Sequence, residues 1–129
     1  MALIVADSDV LIDYLNDVNP GADCVEAEIR RGNLATTAVS RFEVVSGIRN
    51  AKQRQRFDAL FESVSTLPLD AGAADRAAGI RRTLEVAGRK IGMGDCLIAG
   101  TVLRNGGTLL TRNRREFERV EGLRLEALP

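Results

Sequence analysis

The 129-residue chain contains no histidine and no tryptophan, and aromatic residues make up only 4% of it. Without histidine there can be no Ser/His/Asp or Cys/His triad, no histidine general base and no ordinary histidine-bearing zinc site. The scarcity of aromatic residues argues against a sheet that binds RNA by stacking bases on aromatic side chains. These absences point instead to carboxylates acting with a hard cation, which prefers oxygen ligands.

Cysteine is also scarce, and long apolar runs are missing. Cys24 and Cys96 lie in apolar helical patterns, which is typical of a reduced protein of the cytoplasm. No apolar segment is long enough to span a membrane, so we expect no membrane association. The N-terminus lacks the charged region and cleavage site of a signal peptide. The length suits a single domain, residues 1–129, with a core of its own.

Charge is balanced overall but unevenly distributed. Lys plus Arg and Asp plus Glu number 18 each. All charged side chains in residues 1–29 are acidic, whereas those in residues 30–56 are basic apart from Glu43. A second basic cluster consists of Arg112, Arg114, Arg115 and Arg119. Such basic stretches bind nucleic acid locally, although they are equally typical of solvated helix faces.

Short apolar strands alternate with amphipathic helices along the chain. Residues 3–6 form a continuous apolar run typical of a buried parallel strand, and further strands are predicted at 34–37, 64–67, 108–111 and 123–125. Helices fill the segments between them, with Ser8 or Asp9 predicted to cap the first and Ser40 the helix after residues 34–37. This alternation predicts an α/β fold with a mostly parallel sheet.

Four oxygen-bearing residues lie next to apolar segments: Asp7, Glu43, Asp95 and Asn113. Asp7 and Asn113 follow predicted strands. Glu43 lies on the helix after another strand, and Asp95 opens an apolar helix that leads into the strand before Asn113. Because the carboxyl ends of parallel strands share one edge of a sheet, we expect the four residues to converge there.

Each of the four also has a purely structural interpretation. Asp7, Asp95 and Asn113 are residue types that cap or stabilise helix N-termini. Ser40 and Glu43 have the S-x-x-E spacing of a capping box, and Glu43 is alternatively predicted to face solvent. If the four residues converge, a functional role is favoured over a structural one, because grouped carboxylates repel one another unless a cation is bound. Mg²⁺, or alternatively Mn²⁺, would relieve this repulsion, polarise a phosphate and activate water.

The same segments, taken together, resemble the PIN domain, and more closely the VapC ribonucleases of toxin–antitoxin modules. The resemblance covers nearly the whole chain and rests on four motifs in the family's order: Val5 to Asp13, Ser40 to Gly47, Gly94 to Ala99, and Thr111-Arg112-Asn113 with Phe117. It implies a three-layer α/β/α sandwich with a mostly parallel sheet. It also implies Mg²⁺-dependent cleavage of single-stranded RNA, a homodimer, and neutralisation by a cognate antitoxin protein.

The resemblance assigns roles to individual residues. Asp7, Asp95 and Glu43 would hold the metal, and Asn113 takes a place where the family often has Asp, which disfavours tight binding of a second metal. Flanking phosphates would be bound by Arg112, Arg114 and Arg115. Four residues would surround the metal ligands: Ser8, Asp9, Thr111 and Glu116. The Ser8 hydroxyl would orient Asp7, Asp9 would be an outer acid, and Glu116 would compensate for the neutral Asn113. Five apolar residues would offer contacts to partner proteins, unless they belong to the core: Val10, Leu11, Tyr14, Phe57 and Phe61.

Three other classes compete with this interpretation. Asp7-Ser8-Asp9 resembles the D-x-D opening of haloacid-dehalogenase-type phosphatases, but Leu11 and Ala99 stand where that family requires other residues. A receiver domain would need an acid near Arg54 and Gln55. A non-catalytic α/β module that binds nucleic acid or a partner protein would keep the fold and the basic patches but show no metal-dependent turnover.

Overall fold

The computed structural model describes residues 2–128. Five strands and seven helices follow one another within this range in the order β1 (Ile4–Ala6), α1 (Ser8–Leu15), α2 (Gly21–Arg31), β2 (Leu34–Thr37), α3 (Ala38–Ser46), α4 (Ala51–Phe61), β3 (Ser65–Leu67), α5 (Ala71–Val86), α6 (Met93–Asn105), β4 (Thr108–Leu110), α7 (Arg114–Phe117) and β5 (Arg124–Leu125). The predicted α/β alternation is confirmed, and most predicted boundaries lie within two residues of these.

All five strands are parallel and form one sheet in the order β3-β2-β1-β4-β5. The central strand β1 pairs Val5 with Ala35 of β2 on one side and with Leu109 of β4 on the other. Its three residues are all buried, as expected for an apolar strand covered on both faces.

Two apolar cores lie on opposite faces of the sheet. Ile4 and Ala6 of β1 face α1 to α4, where Leu11 and Phe57 are fully buried. Val5, between them, points to the other face and packs with α5, α6 and α7. Alternation along a strand sends successive side chains to opposite faces, so three residues supply both cores. The result is the expected three-layer α/β/α sandwich.

Helices α5 and α6 pack closely because small residues line their contact. A Cβ at Gly100 would collide with the Ala77 nitrogen and the Ala73 oxygen, at 2.6 and 2.7 Å. Gly100 therefore lets the two backbones approach. Since α6 carries Asp95 at its start, this packing helps to fix where that carboxylate lies.

Several sequence predictions about local structure are wrong. Asp7, rather than Ser8 or Asp9, occupies the N-cap of α1, and Thr37, rather than Ser40, caps α3 by accepting from the Ser40 N–H. Asp7 follows the last residue of β1, and Thr37 is itself the last residue of β2, so each strand passes directly into a helix without a linker. Of the apolar residues offered as partner contacts, Val10, Leu11 and Phe57 belong to the core, since they are at most 1% exposed, whereas Tyr14 and Phe61 are partly buried and pack against it.

Candidate functional site

The site lies at the edge of the sheet formed by the carboxyl ends of β1 and β4. These two strands are neighbours, but the chain connects β1 to β2 on the other side, so the crevice between β1 and β4 is a topological switch point. Open α/β sheets bind ligands at this place. Asp7 leaves β1 here, and Thr111 leaves β4 beside it, with the Asp7 N–H donating to the Leu110 carbonyl at 2.9 Å.

The Asp7 carboxylate is buried, at 5% exposure, and is held from two sides. Its Oδ1 accepts from the Ser8 backbone N–H at 2.8 Å, and its Oδ2 accepts from the Thr111 hydroxyl at 2.8 Å. The Ser40 hydroxyl lies 3.5 Å from Oδ1. The helix-cap interpretation of Asp7 is thus correct, but the cap uses only one oxygen and leaves the carboxylate between two elements of the site.

The pKa of Asp7 is raised from 3.8 to about 6, and burial is the largest cause. The negative charges of Asp9 and Glu43 contribute to the rise, whereas hydrogen bonds from Thr111 and the Ser8 N–H reduce it. Within residues 2–128, no cation is among the main causes of this shift, although the charge of Asp7 contributes to the raised pKa of Arg112. The site therefore concentrates negative charge around Asp7, and Arg112, the cation coupled to it, is paired with Asp13.

Asp9 fastens the loop that follows β4. Its Oδ2 accepts from the Arg112 backbone N–H at 2.9 Å, and its Oδ1 accepts from the Val10 N–H at 2.7 Å. The Thr111 hydroxyl lies 3.3 Å from the same Oδ2, but its single proton serves the shorter bond to Asp7. The Thr111 oxygen also accepts from the Asn113 N–H at 3.0 Å. Thr111 is thus the junction between the Asp7 carboxylate and the segment carrying Asn113.

Glu43 is exposed and reaches the site from α3. Its Oε1 accepts from the Ser8 hydroxyl at 3.0 Å. The hydroxyl of Ser8 therefore orients Glu43, and only its backbone N–H binds Asp7, which corrects the predicted role. The capping box with Ser40 is also wrong, because Thr37 caps α3 and leaves the Glu43 side chain available. Glu43 Oε2 lies 4.0 Å from where a Cβ on Gly94 would stand, so it faces the first turn of α6.

Asp95 is half-buried in the first turn of α6, which begins two residues earlier than predicted, at Met93. Its Oδ2 accepts from the Asn113 side-chain amide at 3.4 Å. Burial raises the pKa of Asp95, and the charges of Glu43, Glu116 and Asp9 raise it further, while the bond from Asn113 lowers it. Asn113 stands at the N-cap position of α7 but makes no capping hydrogen bond with its side chain, so its amide serves Asp95 instead.

The predicted convergence of Asp7, Glu43, Asp95 and Asn113 is therefore present in hydrogen bonds and electrostatics. No group of three His, Cys, Asp or Glu side chains in residues 2–128 is arranged to hold a metal ion. The closest links run through hydroxyl and amide groups rather than between carboxylates. Of the four, Glu43 has the most freedom to change position, because it is exposed and accepts a single hydrogen bond from one hydroxyl.

Arg112 is exposed, but its guanidinium is paired with a carboxylate of the same chain. Its Nε donates to Asp13 Oδ2 at 2.8 Å and its Nη2 to Asp13 Oδ1 at 3.2 Å. The Asp13 carboxylate is buried, and a Cβ on Gly21 would overlap it, so the absence of a side chain at Gly21 gives it room. The sequence analysis did not identify Asp13 as a site residue. The pattern that could have indicated it is an acidic residue among the apolar residues Val10, Leu11 and Tyr14.

Arg114 is also engaged within the chain, whereas Arg115 is exposed. Arg114 Nη1 donates to the Glu126 carbonyl at 2.7 Å, and its Nε lies 3.8 Å from Glu118. Arg115 lines a surface groove with Arg89 and other residues beyond α7. The three arginines that the sequence analysis grouped together thus have three different surroundings.

Comparison with known proteins gives a consistent answer. A profile of the PIN domain matches residues 4–123. The chain is 34% identical to the tRNA(fMet)-specific endonuclease VapC of Shigella flexneri, over 98% of each chain. It is also 34% identical to ribonuclease VapC10 of Mycobacterium tuberculosis, over 95% of this chain and 91% of that one.

Solved structures with the same fold include VapBC2 from Rickettsia felis bound to a promoter DNA fragment. One of its chains superposes with a TM-score of 0.82 at 20% identity, covering 96% of this chain and 97% of that one. VapBC from Salmonella typhimurium bound to DNA gives a TM-score of 0.79 at 22% identity, covering 98% of each. At these identities the structural matches establish the fold.

Proposed function

The chain belongs to the PIN domain family and to its VapC group, and from that membership we propose that it is a metal-dependent endoribonuclease, the toxin of a toxin–antitoxin pair. The observation that carries the proposal is the meeting of Asp7, Glu43, Asp95 and Asn113 at the switch point of the sheet. Raised pKa values at Asp7 and Asp95 are typical of functional carboxylates. The substrate is the phosphodiester backbone of single-stranded RNA.

The donor set fits Mg²⁺, or Mn²⁺, by its chemistry. Both cations take carboxylate and amide oxygens, and the crowded negative charge around Asp7 and Asp95 favours a divalent cation. Asp7, Asp95 and Glu43 would hold it, with movement of the exposed Glu43 side chain completing the set. When bound, the cation supplies Lewis acidity towards the phosphate and water. The neutral Asn113 makes one ion better matched than two.

The protein's own residues then divide the remaining work. Ser8 and Thr111 fix the Asp7 carboxylate in one orientation, and Asn113 does the same for Asp95. Glu43 is the exposed carboxylate, and we assign to its Oε2, which faces the first turn of α6, the role of accepting the proton of an attacking water. Asp9 is bound by two backbone N–H groups, so it anchors the loop and is poorly placed to act as the acid of a phosphatase.

We propose that a cognate antitoxin and a second copy of the chain are its protein partners, because the solved relatives include VapBC complexes. The fold offers an apolar groove of about 300 Å³ between α1 and the α3–α4 region, lined by Ile12, Leu15, Val44 and Ile48 among others. No helix within residues 2–128 has the length and hydropathy to cross a membrane. Both cysteines are free thiols, which supports action in the reducing cytoplasm.

The proposal is tested by cleavage of total RNA from a bacterial lysate with the purified chain, in Mg²⁺ and in EDTA. Asp7→Asn is the inactive variant, and Asp75→Asn, on the exposed face of α5, is the matched control. Cleavage that is lost with EDTA and with Asp7→Asn, but kept with Asp75→Asn, is the expected result. Cleavage that survives both treatments would exclude the carboxylate site as its source.

A further inference from the structure

A basic groove lies beside the site, between the loop that connects α5 to α6 and the short helix α7. It measures about 480 Å³, and it is lined by Gly88, Arg89, Lys90, Arg115, Glu118 and Arg119. We propose that this groove binds the phosphate backbone of the substrate RNA on one side of the scissile bond. The inference rests on the proposed ribonuclease function and identifies the surface that holds its substrate.

The groove carries four cations and one carboxylate. The carboxylate, Glu118, lies 3.8 Å from Arg114, which partly neutralises it. Arg119 is committed to the structure, since its Nη1 donates to the Lys90 carbonyl at 3.0 Å and lies 3.3 Å from Glu116. Arg89, Lys90 and Arg115 are exposed and therefore present their charges to a ligand.

Arg119 joins the two walls of the groove and fixes the spacing of its cations. It bridges α7 to the loop at Lys90 through that single hydrogen bond. The loop turns at Gly88, whose φ of +70° favours glycine. A loop braced in this way presents Arg89 and Lys90 with less loss of conformational entropy on binding than an unattached one.

Two segments of the chain link the groove to the carboxylate site. Glu116, the partner of Arg119, is close enough to Asp95 to raise the pKa of that residue. The loop that carries Lys90 passes through Gly92 into the first turn of α6, where Asp95 lies. RNA cleaved at Asp95 would therefore extend naturally along Arg115 and Lys90.

The groove's lining indicates how it would recognise RNA. It contains no aromatic residue, so unpaired bases have no ring on which to stack. Arginine and lysine contacts to phosphates position an RNA without reading its sequence. The groove thus supplies affinity and direction, and base selection belongs elsewhere. This assignment also replaces Arg112 and Arg114, whose side chains are engaged internally, as the phosphate ligands.

The test measures RNA binding apart from cleavage. Fluorescence anisotropy would follow a labelled single-stranded RNA of about 20 nucleotides, titrated from about 50 to about 400 mM KCl with Mg²⁺ present. All proteins carry Asp7→Asn to prevent cutting. The groove variant adds Arg89→Ala, Lys90→Ala and Arg115→Ala. The matched control instead removes three exposed cations elsewhere, with Arg30→Ala, Lys52→Ala and Arg124→Ala.

For single-stranded RNA, each phosphate contact contributes about 0.7 to the slope of log affinity against log salt, so the groove variant should lower the slope by about 2. The control variant should leave it nearly unchanged. Equal slopes for both variants, with circular dichroism confirming that both fold, would overturn the groove. Cleavage of total RNA by the unsubstituted chain is measured in parallel. If the chain cleaves RNA but the groove and control variants have equal slopes, only the groove proposal is refuted. If the groove variant lowers the slope but the chain does not cleave RNA, only the ribonuclease proposal is refuted.

Discussion

The site has two halves that are built differently. The half at the strand ends, Asp7 with Asp9 and Thr111, is tied by hydrogen bonds to backbone N–H groups and to a buried hydroxyl. The half carried on helices, Glu43 and Asp95, has one side-chain contact each, from Ser8 and from Asn113. The strand-end half is fixed before any ligand arrives, and the helix-borne half can adjust to one.

The strand-end half therefore provides a fixed geometry, and the helix-borne half provides side chains that can move. A buried carboxylate held by two elements keeps its orientation but resists ionisation, as the pKa of Asp7 shows. An exposed carboxylate such as Glu43 has to be ordered when the ligand binds, which costs side-chain entropy. Substitutions in the two halves should therefore differ in their effect on stability as well as on activity.

Asp7→Asn should produce the largest effect, a loss of activity on the order of 10³-fold or more, because it removes a fixed charge at the reacting centre. Thr111 can keep its place, since its hydroxyl can accept from the new amide and donate to Asp9. Cleavage of total RNA by equal amounts of both proteins measures the loss. A decrease below tenfold would show that the strand-end half is not the reacting centre.

The same substitution should stabilise the metal-free protein at high pH. Since the native-state pKa of Asp7 lies above 3.8, at about 6, ionisation destabilises the fold as pH rises between these values, by about 3 kcal/mol at 1.36 kcal/mol per pH unit. Asp7→Asn should recover up to that amount above pH 6 and nothing below pH 3.8. Urea unfolding with EDTA at both extremes measures it, and no gain at high pH would contradict the buried charge.

Glu43→Gln should reduce activity by about 10- to 100-fold with little change in stability, since the side chain is exposed. Glu62→Gln, at the exposed end of α4, is the control. The difference between the two halves is supported if urea unfolding at high pH shows a gain in stability for Asp7→Asn and none for Glu43→Gln. It is contradicted if Glu43→Gln gains the same stability.

Arg112→Ala should destabilise the protein by about 1–3 kcal/mol and reduce activity about tenfold. It leaves the buried Asp13 carboxylate unpaired and releases the loop that brings Asn113 to Asp95. Adding Asp13→Asn should restore part of the stability, because it removes the stranded charge. A phosphate-binding Arg112 would behave oppositely, with reduced RNA affinity, unchanged stability and no rescue.

Ser8→Ala should have the smallest effect, a loss of activity of a few fold, because Glu43 loses its one hydrogen-bond donor while Asp7 keeps the backbone N–H. Ser8→Thr, which retains the hydroxyl, is the matched control and should remain near full activity. If Ser8→Ala instead matched Asp7→Asn in its effect, the hydroxyl would be acting on more than Glu43.

Prediction from the sequence worked best where local order and sheet topology agree. Asp7 and Asn113 were assigned because each follows an apolar strand, and parallel strands bring their ends to one edge. The roles of the groups around them were less accessible. The Ser8 hydroxyl could have served Asp7 or Glu43, and only the approach of α3 to α1 selects Glu43. Ser40 fits a capping box, but Thr37 stands where the strand ends and takes the cap first.

The basic residues show most clearly what could not be predicted from the sequence. Arg112, Arg114 and Arg115 are near neighbours in sequence and carry the same charge, so pattern alone treats them as one cluster. Arg112 is paired with Asp13, about a hundred residues away, Arg114 donates to the Glu126 carbonyl near the C-terminus, and Arg115 is exposed at a groove that it lines with Lys90. Contacts between segments so distant in sequence depend on how the segments pack.

The sequence by itself determined the order of strands and helices, the apolar core and the oxygen-rich character of the site, because these follow from local periodicity and side-chain chemistry. Only the tertiary structure decided which donor meets which carboxylate, which arginine stays free, and how far burial raises the pKa of Asp7. Those properties depend on distances between segments far apart in the chain, and such distances are set only when both cores close on the sheet.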